Sequence, residues 1–236
     1  MMIAFHALYD LDYFCGPDLV DVHSGVLPLF AKATASIFLL LVGVCLNISS
    51  AKARAGGKDT VVRYLRRGVR IFSWGMVVTL STILLLGDGF VVFGVLHLIG
   101  ISIILSYPFL KRSLIALLLG SAAISVGFWL RQFSFDSPWL LWLGLVPRNF
   151  YSVDYFPLLP WSGVVLVGIF LGDLLYPEGV RRVSLPDISA RNPAKQICLV
   201  GRNSLAIYLL HQPILIILMQ LLGMIEVGNG LVLPMP

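Results

Sequence analysis

The chain has 236 residues, 58% of them apolar and only 12% charged, with a net charge of +5. A soluble domain carries about 25% charged residues; half that share, with a mean hydropathy of +0.91, excludes water as the main solvent and points to lipid. The positive balance is accounted for by topology, so no nucleic-acid partner is expected.

In chain order, the apolar runs 1–14, 30–49, 69–87, 90–107, 113–130, 157–176 and 201–222 read as membrane spans. Most reach the length that crosses a bilayer and none alternates strictly, so they are helices. The expected fold is all-α: a polytopic membrane bundle of about seven transmembrane helices, in a single domain covering 1–236. The first run is short. At 1.5 Å per residue it rises about 21 Å, against a hydrocarbon core of about 30 Å. A truncated first helix that begins upstream of residue 1 is therefore expected, and without a basic n-region a signal peptide is not.

The loops carry the orientation. Lys52, Arg54, Lys58, Arg63, Arg66, Arg67 and Arg70 lie in the 51–70 loop, Lys111 and Arg112 in the 107–113 turn, and Arg181, Arg182, Arg191, Lys195 and Arg202 in the 177–202 loop. The opposite side holds only Lys32, Arg131 and Arg148, with Asp10, Asp12, Asp18, Asp21, Asp88, Asp136, Asp154 and Glu226. Basic loops stay cytoplasmic, so the N-terminus starts inside and the C-terminus ends outside. Arg63, Arg66, Arg67 and Arg70 fall at i, i+3, i+4 and i+7, one helical stripe. It suits snorkelling at a helix end or the phosphates of an anionic cytoplasmic ligand.

Outside, Gly87-Asp88-Gly89 reads as a tight hairpin. The aromatic stretch 131–156 contains a piece, 138–147, too short to span, expected at the interface or re-entrant. Asp154 stands just ahead of Pro157, near the positive end of the helix that follows. Gly163, Gly168 and Gly172 are expected to allow close helix packing. Pro213 frees the carbonyl of Leu209 inside the last span.

Ionisable groups inside a membrane are costly and are functional candidates by default. Here they are His6, Asp10, His97 and His211, with Asp173 near a cytoplasmic end. His6 and Asp10, at i and i+4, share a helix face, where a carboxylate can fix the imidazole tautomer as a general base requires. His97 by itself reads as a hydrogen-bonded structural histidine. Cys15, Cys45 and Cys198 show no CxxC or His/Cys ligand spacing, so they read as packing residues and no metal site is expected.

The pieces Phe5-His6-Ala7-Leu8-Tyr9-Asp10-Leu11, Phe93 to Gly100, Asp154-Tyr155-Phe156-Pro157-Leu158-Leu159-Pro160-Trp161 and Gly201 to Pro213 resemble, in order and spacing, the signatures of the DUF1624 group. These are prokaryotic relatives of the heparan-alpha-glucosaminide N-acetyltransferase catalytic domain. An Asp/Arg-Gly segment that such proteins carry before the first helix is not in this sequence, and a truncated binding site is expected to follow. The resemblance implies a multi-pass acyltransferase of the cell membrane that passes an acetyl group from cytoplasmic acetyl-CoA to an acceptor at the outer face, an amino sugar or glycan. It implies His6 as base oriented by Asp10, with His97, Asn203 and His211 lining the path and polarising the thioester. Direct transfer and a prior acetyl-histidine both stay open. Arg66, Arg67 and Arg202, with Asn203, are then the expected contacts of acetyl-CoA, and Asp154, Tyr155 and Trp161 those of the acceptor. Membrane lipid and the small-molecule or glycan acceptor are the expected partners, with a homodimer left open. The rival expectation is a proton-coupled small-molecule transporter using the three histidines, against which stands the lack of an internal repeat.

Overall fold

In a computed structural model, residues 2–15, 25–87, 89–135, 138–182, 192–228 and 231–234 are described. Asp18, Asp21, His23, Asp88, Asp136 and Arg191 lie outside them, as do the side chains of Cys15 and Glu226. The described helices are α1 (Met2–Cys15), α2 (Leu27–Ala55), α3 (Val61–Leu86), α4 (Val95–Leu105), α5 (Ser113–Leu130), α6 (Leu158–Leu175), α7 (Asn192–Arg202) and α8 (Ser204–Leu221). A short antiparallel strand pair, β1 (Ile225–Gly228) and β2 (Leu231–Pro234), follows α8. The protein is a helical membrane bundle. Five helices, α2, α3, α5, α6 and α8, are long and apolar enough to cross a bilayer. Their outward faces are apolar: Leu84 is 79% exposed and Leu118 70%, a surface that water disfavours and lipid accepts.

Two expected spans form shorter helices. The 1–14 run gives α1, with 14 residues. The 90–107 run gives α4, with only 11, because the chain stays extended up to Gly94 before the helix starts. At 1.5 Å per residue α4 is about 16 Å long. It is apolar on every side, and eight of its residues, from Val95 to Ile103, are buried. That is how a core helix reads.

The chain forms two compact units: residues 35–183, and residues 1–34 with 184–236. In the first, α5 packs on α6 and α3 on α4. Small residues let the backbones meet, as the glycine spacing predicts. A Cβ on Gly120 would lie 2.8 Å from the Gly163 carbonyl, and one on Gly127 2.6 Å from the Pro160 nitrogen. Gly43 of α2 and Gly168 of α6 meet the backbones of Val165 and Leu40 in the same way. Around these contacts Leu39, Leu46, Leu98, Ile103, Val165 and Ile169 form the core, and Asn47 donates to the Ile169 carbonyl at 3.2 Å.

In the second unit α1 packs on α8, and Met219 is buried against Leu11, Ile216 and Met224. The α7–α8 junction breaks at Asn203, whose side-chain amide donates to the Leu199 carbonyl at 2.9 Å. Cys45 and Cys198 are free thiols on exposed faces. The packing role expected for them is not what they do, because their helix faces turn away from the protein interior.

Candidate functional site

Three of the four expected ionisable residues converge where α1 meets α8. His6 and His211 face each other with ring centroids 4.9 Å apart. Asp10 is 2% exposed and His211 8%. The expected His6–Asp10 pair does not form among the described residues. The Asp10 Oδ1 instead accepts a hydrogen bond from the Gln212 amide at 2.7 Å. Both side chains do leave one face of α1, as i, i+4 spacing requires. Gln212 reaches across from α8 to the carboxylate, while the His6 ring turns towards His211.

His211 is the more constrained of the two histidines. Its Nδ1 lies 2.6 Å from the Tyr208 carbonyl and 3.2 Å from that of Ile207. A carbonyl only accepts, so Nδ1 carries the proton and, in the neutral ring, Nε2 holds the lone pair. That Nε2 is buried and unpartnered among the described residues, as are Asp10 Oδ2 and Gln212 Oε1. His211 also forms part of the wall of a cleft of about 290 Å³ whose other walls are apolar, among them Ile3, Ile207, Leu210 and Ile214.

His97 lies in the other unit. Its Nδ1 accepts from the Gly94 N–H at 3.2 Å, closing the start of α4 as a capping residue does. Phe72 meets the ring edge-on at 4.9 Å and Phe93 stacks on it at 5.6 Å. Room for the imidazole comes from Gly75, where a Cβ would lie 3.0 Å from it. The Nδ1 bond fits the hydrogen-bonded histidine that the residue alone suggests, while Nε2 is buried and unpartnered among the described residues.

Asp154 is placed differently from expectation. Residues 152–156 run beside 89–94, bridged at Phe93 and Tyr155 and joined by a bond from the Phe156 N–H to the Phe93 carbonyl at 2.8 Å. This pairing carries the Asp154 carboxylate to the N-terminus of α4, where it accepts from the Val95 N–H at 3.3 Å. Asp154→Ala is expected to cost about 1 kcal/mol, the usual loss of a helix cap, read as a lower thermal transition of the purified protein; an unchanged transition would deny the cap.

The other acceptor-side candidates make internal contacts too. The Tyr155 hydroxyl donates to the Leu141 carbonyl at 2.6 Å, and its ring meets Phe150 edge-on. Burial pushes its phenol up to about 12. Trp161 packs on Phe156 with centroids 5.0 Å apart.

The profile of the family described as heparan-alpha-glucosaminide N-acetyltransferase, catalytic, matches residues 1–213. The chain belongs to this N-acetyltransferase catalytic family. No curated protein matches the chain, and no solved structure does.

The match to the N-acetyltransferase family takes in every residue expected to form the site. On its basic side, Arg66 is exposed and Arg67 half-buried on one stripe of α3, beside Arg63, which donates to Ser49 Oγ at 3.1 Å. Asp59 is occupied by the Tyr64 hydroxyl at 2.8 Å and by Lys111 at 3.9 Å. Arg202 and Asn203 are exposed at the α7–α8 junction, and the Asn203 amide serves the α7 terminus. Gln212 is the residue that sequence reasoning passed over. Its signal was there: an amide inside a span, next to a histidine, needs a partner. No group of three potential metal ligands occurs among the described residues.

Proposed function

We propose that this chain moves an acetyl group from acetyl-CoA, held at the basic cytoplasmic face, to an amine-bearing acceptor, an amino sugar or glycan, at the outer face of the cell membrane. The family match supports N-acetyl transfer in a membrane. The charge sorting, with the N-terminus inside and the C-terminus outside, supports the direction. The observation that carries the chemistry is His211, whose Nδ1–H is committed to backbone carbonyls while its Nε2 lone pair is buried and unused.

In this reading His211, rather than His6, is the general base. The acceptor nitrogen attacks the thioester carbonyl carbon and Nε2 takes the nitrogen's proton. The carbon–sulfur bond breaks, and the leaving thiolate takes up a proton as CoA. The backbone carbonyl of Tyr208 does for the ring what a carboxylate does in a hydrolase triad: it fixes the tautomer. His6 packs against His211 as the next group able to pass the proton on.

Turnover of labelled acetyl-CoA onto glucosamine-type acceptors by the purified protein in detergent tests this reading. Labelled product from the wild type is expected. Reversing Arg66 and Arg67 to Glu is expected to weaken acetyl-CoA binding by at least about tenfold, since each guanidinium lost removes a charge-assisted phosphate contact. Unchanged affinity would make the stripe a lipid anchor only.

A further inference from the structure

We propose that α7 is an interfacial helix that binds anionic lipid headgroups at the cytoplasmic surface of the bilayer, with its apolar stripe in the lipid and Lys195 and Arg202 paired with headgroup phosphates. This holds whatever acyl transfer the chain carries out.

α7 is amphipathic. Pro193, Ala194, Ile197 and Val200 fall at i, i+1, i+4 and i+7, one apolar stripe of a helix. Lys195 and Arg202, two turns apart, share the opposite side, and α7 contains no acidic residue. Leu199 is the one large apolar side chain outside the stripe. Every residue from Lys195 to Arg202 is exposed, Ile197 by 72% and Val200 by 57%. Neither Lys195 nor Arg202 forms an ion pair among the described residues. A helix of 11 residues with every face in water is marginal, since isolated helices shorter than about 12–15 residues barely form. α7 meets α8, the next helix in the chain, and that contact leaves the stripe uncovered. Its stability calls for an apolar surface outside the chain.

The neighbouring span identifies that surface. α8 has 18 residues from Ser204 to Leu221, about 27 Å at 1.5 Å each, close to the hydrocarbon core of about 30 Å. Only Asn203 separates α8 from α7, and one residue reaches at most about 3.6 Å. The helix breaks at Asn203, so α7 does not lengthen the span. Its end is held at the edge of the hydrocarbon, on the side that the charge sorting assigns to the cytoplasm. Helices with a cationic side and an apolar side settle in that layer, and the anionic headgroups of the cytoplasmic leaflet attract Lys and Arg there. In this reading Arg202 serves lipid phosphate and not the phosphates of acetyl-CoA.

The test uses the full chain with its native cysteines replaced by serine and one spin label, on Ile197→Cys or on Leu199→Cys. Both positions are exposed, so the fold does not depend on them. The protein is placed in bilayers of phosphatidylcholine alone, or of equal parts phosphatidylcholine and phosphatidylglycerol. Oxygen, which concentrates in lipid, and a water-soluble nickel complex each relax the label. In the mixed bilayer the ratio of oxygen to nickel relaxation is expected to be several-fold higher at position 197 than at 199, and to fall at 197 in phosphatidylcholine alone. Lys195→Gln with Arg202→Gln is expected to abolish the difference between the two bilayers, and excess acetyl-CoA to change neither reading. Nickel access at both positions overturns the proposal and leaves α7 in water. Shielding of position 197 from both reagents overturns it in favour of a protein partner or a second copy of the chain. Equal readings in the two bilayers overturn the anionic headgroup as the ligand. Loss of the lipid effect on adding acetyl-CoA does so too, and returns the two cations to the cofactor.

Discussion

His211→Ala is expected to lower acetyl transfer by at least about a hundredfold, within the roughly 10²–10⁴ range that a positioned general base supplies, with acetyl-CoA binding and the thermal transition retained. His6→Ala is expected to reduce turnover less, because among the described residues the His6 ring packs on His211 with no hydrogen bond fixing its tautomer. The decisive comparison is between the two single variants under one assay. An active His211→Ala beside a dead His6→Ala would return the base to α1, where the i, i+4 spacing of His6 and Asp10 first suggests it. The expected order follows from the 2.6 Å contact between His211 Nδ1 and the Tyr208 carbonyl.

A large effect on stability is expected at Gly168. A Cβ there would press into the backbone of Leu40, from which no side-chain rearrangement offers relief. Overpacking usually costs about 1–3 kcal/mol, and a clash with main chain belongs at the upper end. Gly168→Ala should lower the unfolding temperature in detergent by several degrees, followed by tryptophan fluorescence, and Gly168→Val should prevent a folded peak in size exclusion. A neutral Gly168→Ala would mean that α2 and α6 do not approach as closely as described.

Most of the helices were legible because lipid imposes one rule on long apolar runs. The 113–130 run coincides with α5 and the 69–87 run falls on α3, and the glycines of α6 pack as their spacing implies. The 90–107 run gives a helix of only 11 residues, because the chain stays extended up to Gly94 before α4 starts. Asp154 was legible as an acid near a helix start, but its bond to the start of α4 was not. The pairing that carries it there joins Phe93 to Tyr155, two positions far apart in the chain with no local signal. At the site, three of the polar residues singled out inside the spans, His6, Asp10 and His211, come together where α1 meets α8. Their partners were not readable: Asp10 and Gln212 stand 202 positions apart, and spacing along one helix says nothing about which side chain a neighbouring helix brings.

The bond between Asp10 and Gln212 sets an order of events during biosynthesis. The ribosome delivers α1 well before α8, so the carboxylate enters the bilayer long before its amide partner exists. Until then α1 carries a polar group that lipid disfavours, which draws α8 into place once it is inserted. A chain arrested before residue 212 would present α1 without the Gln212 partner of Asp10. The bond between α1 and α8 thus waits until α8 has been made and inserted.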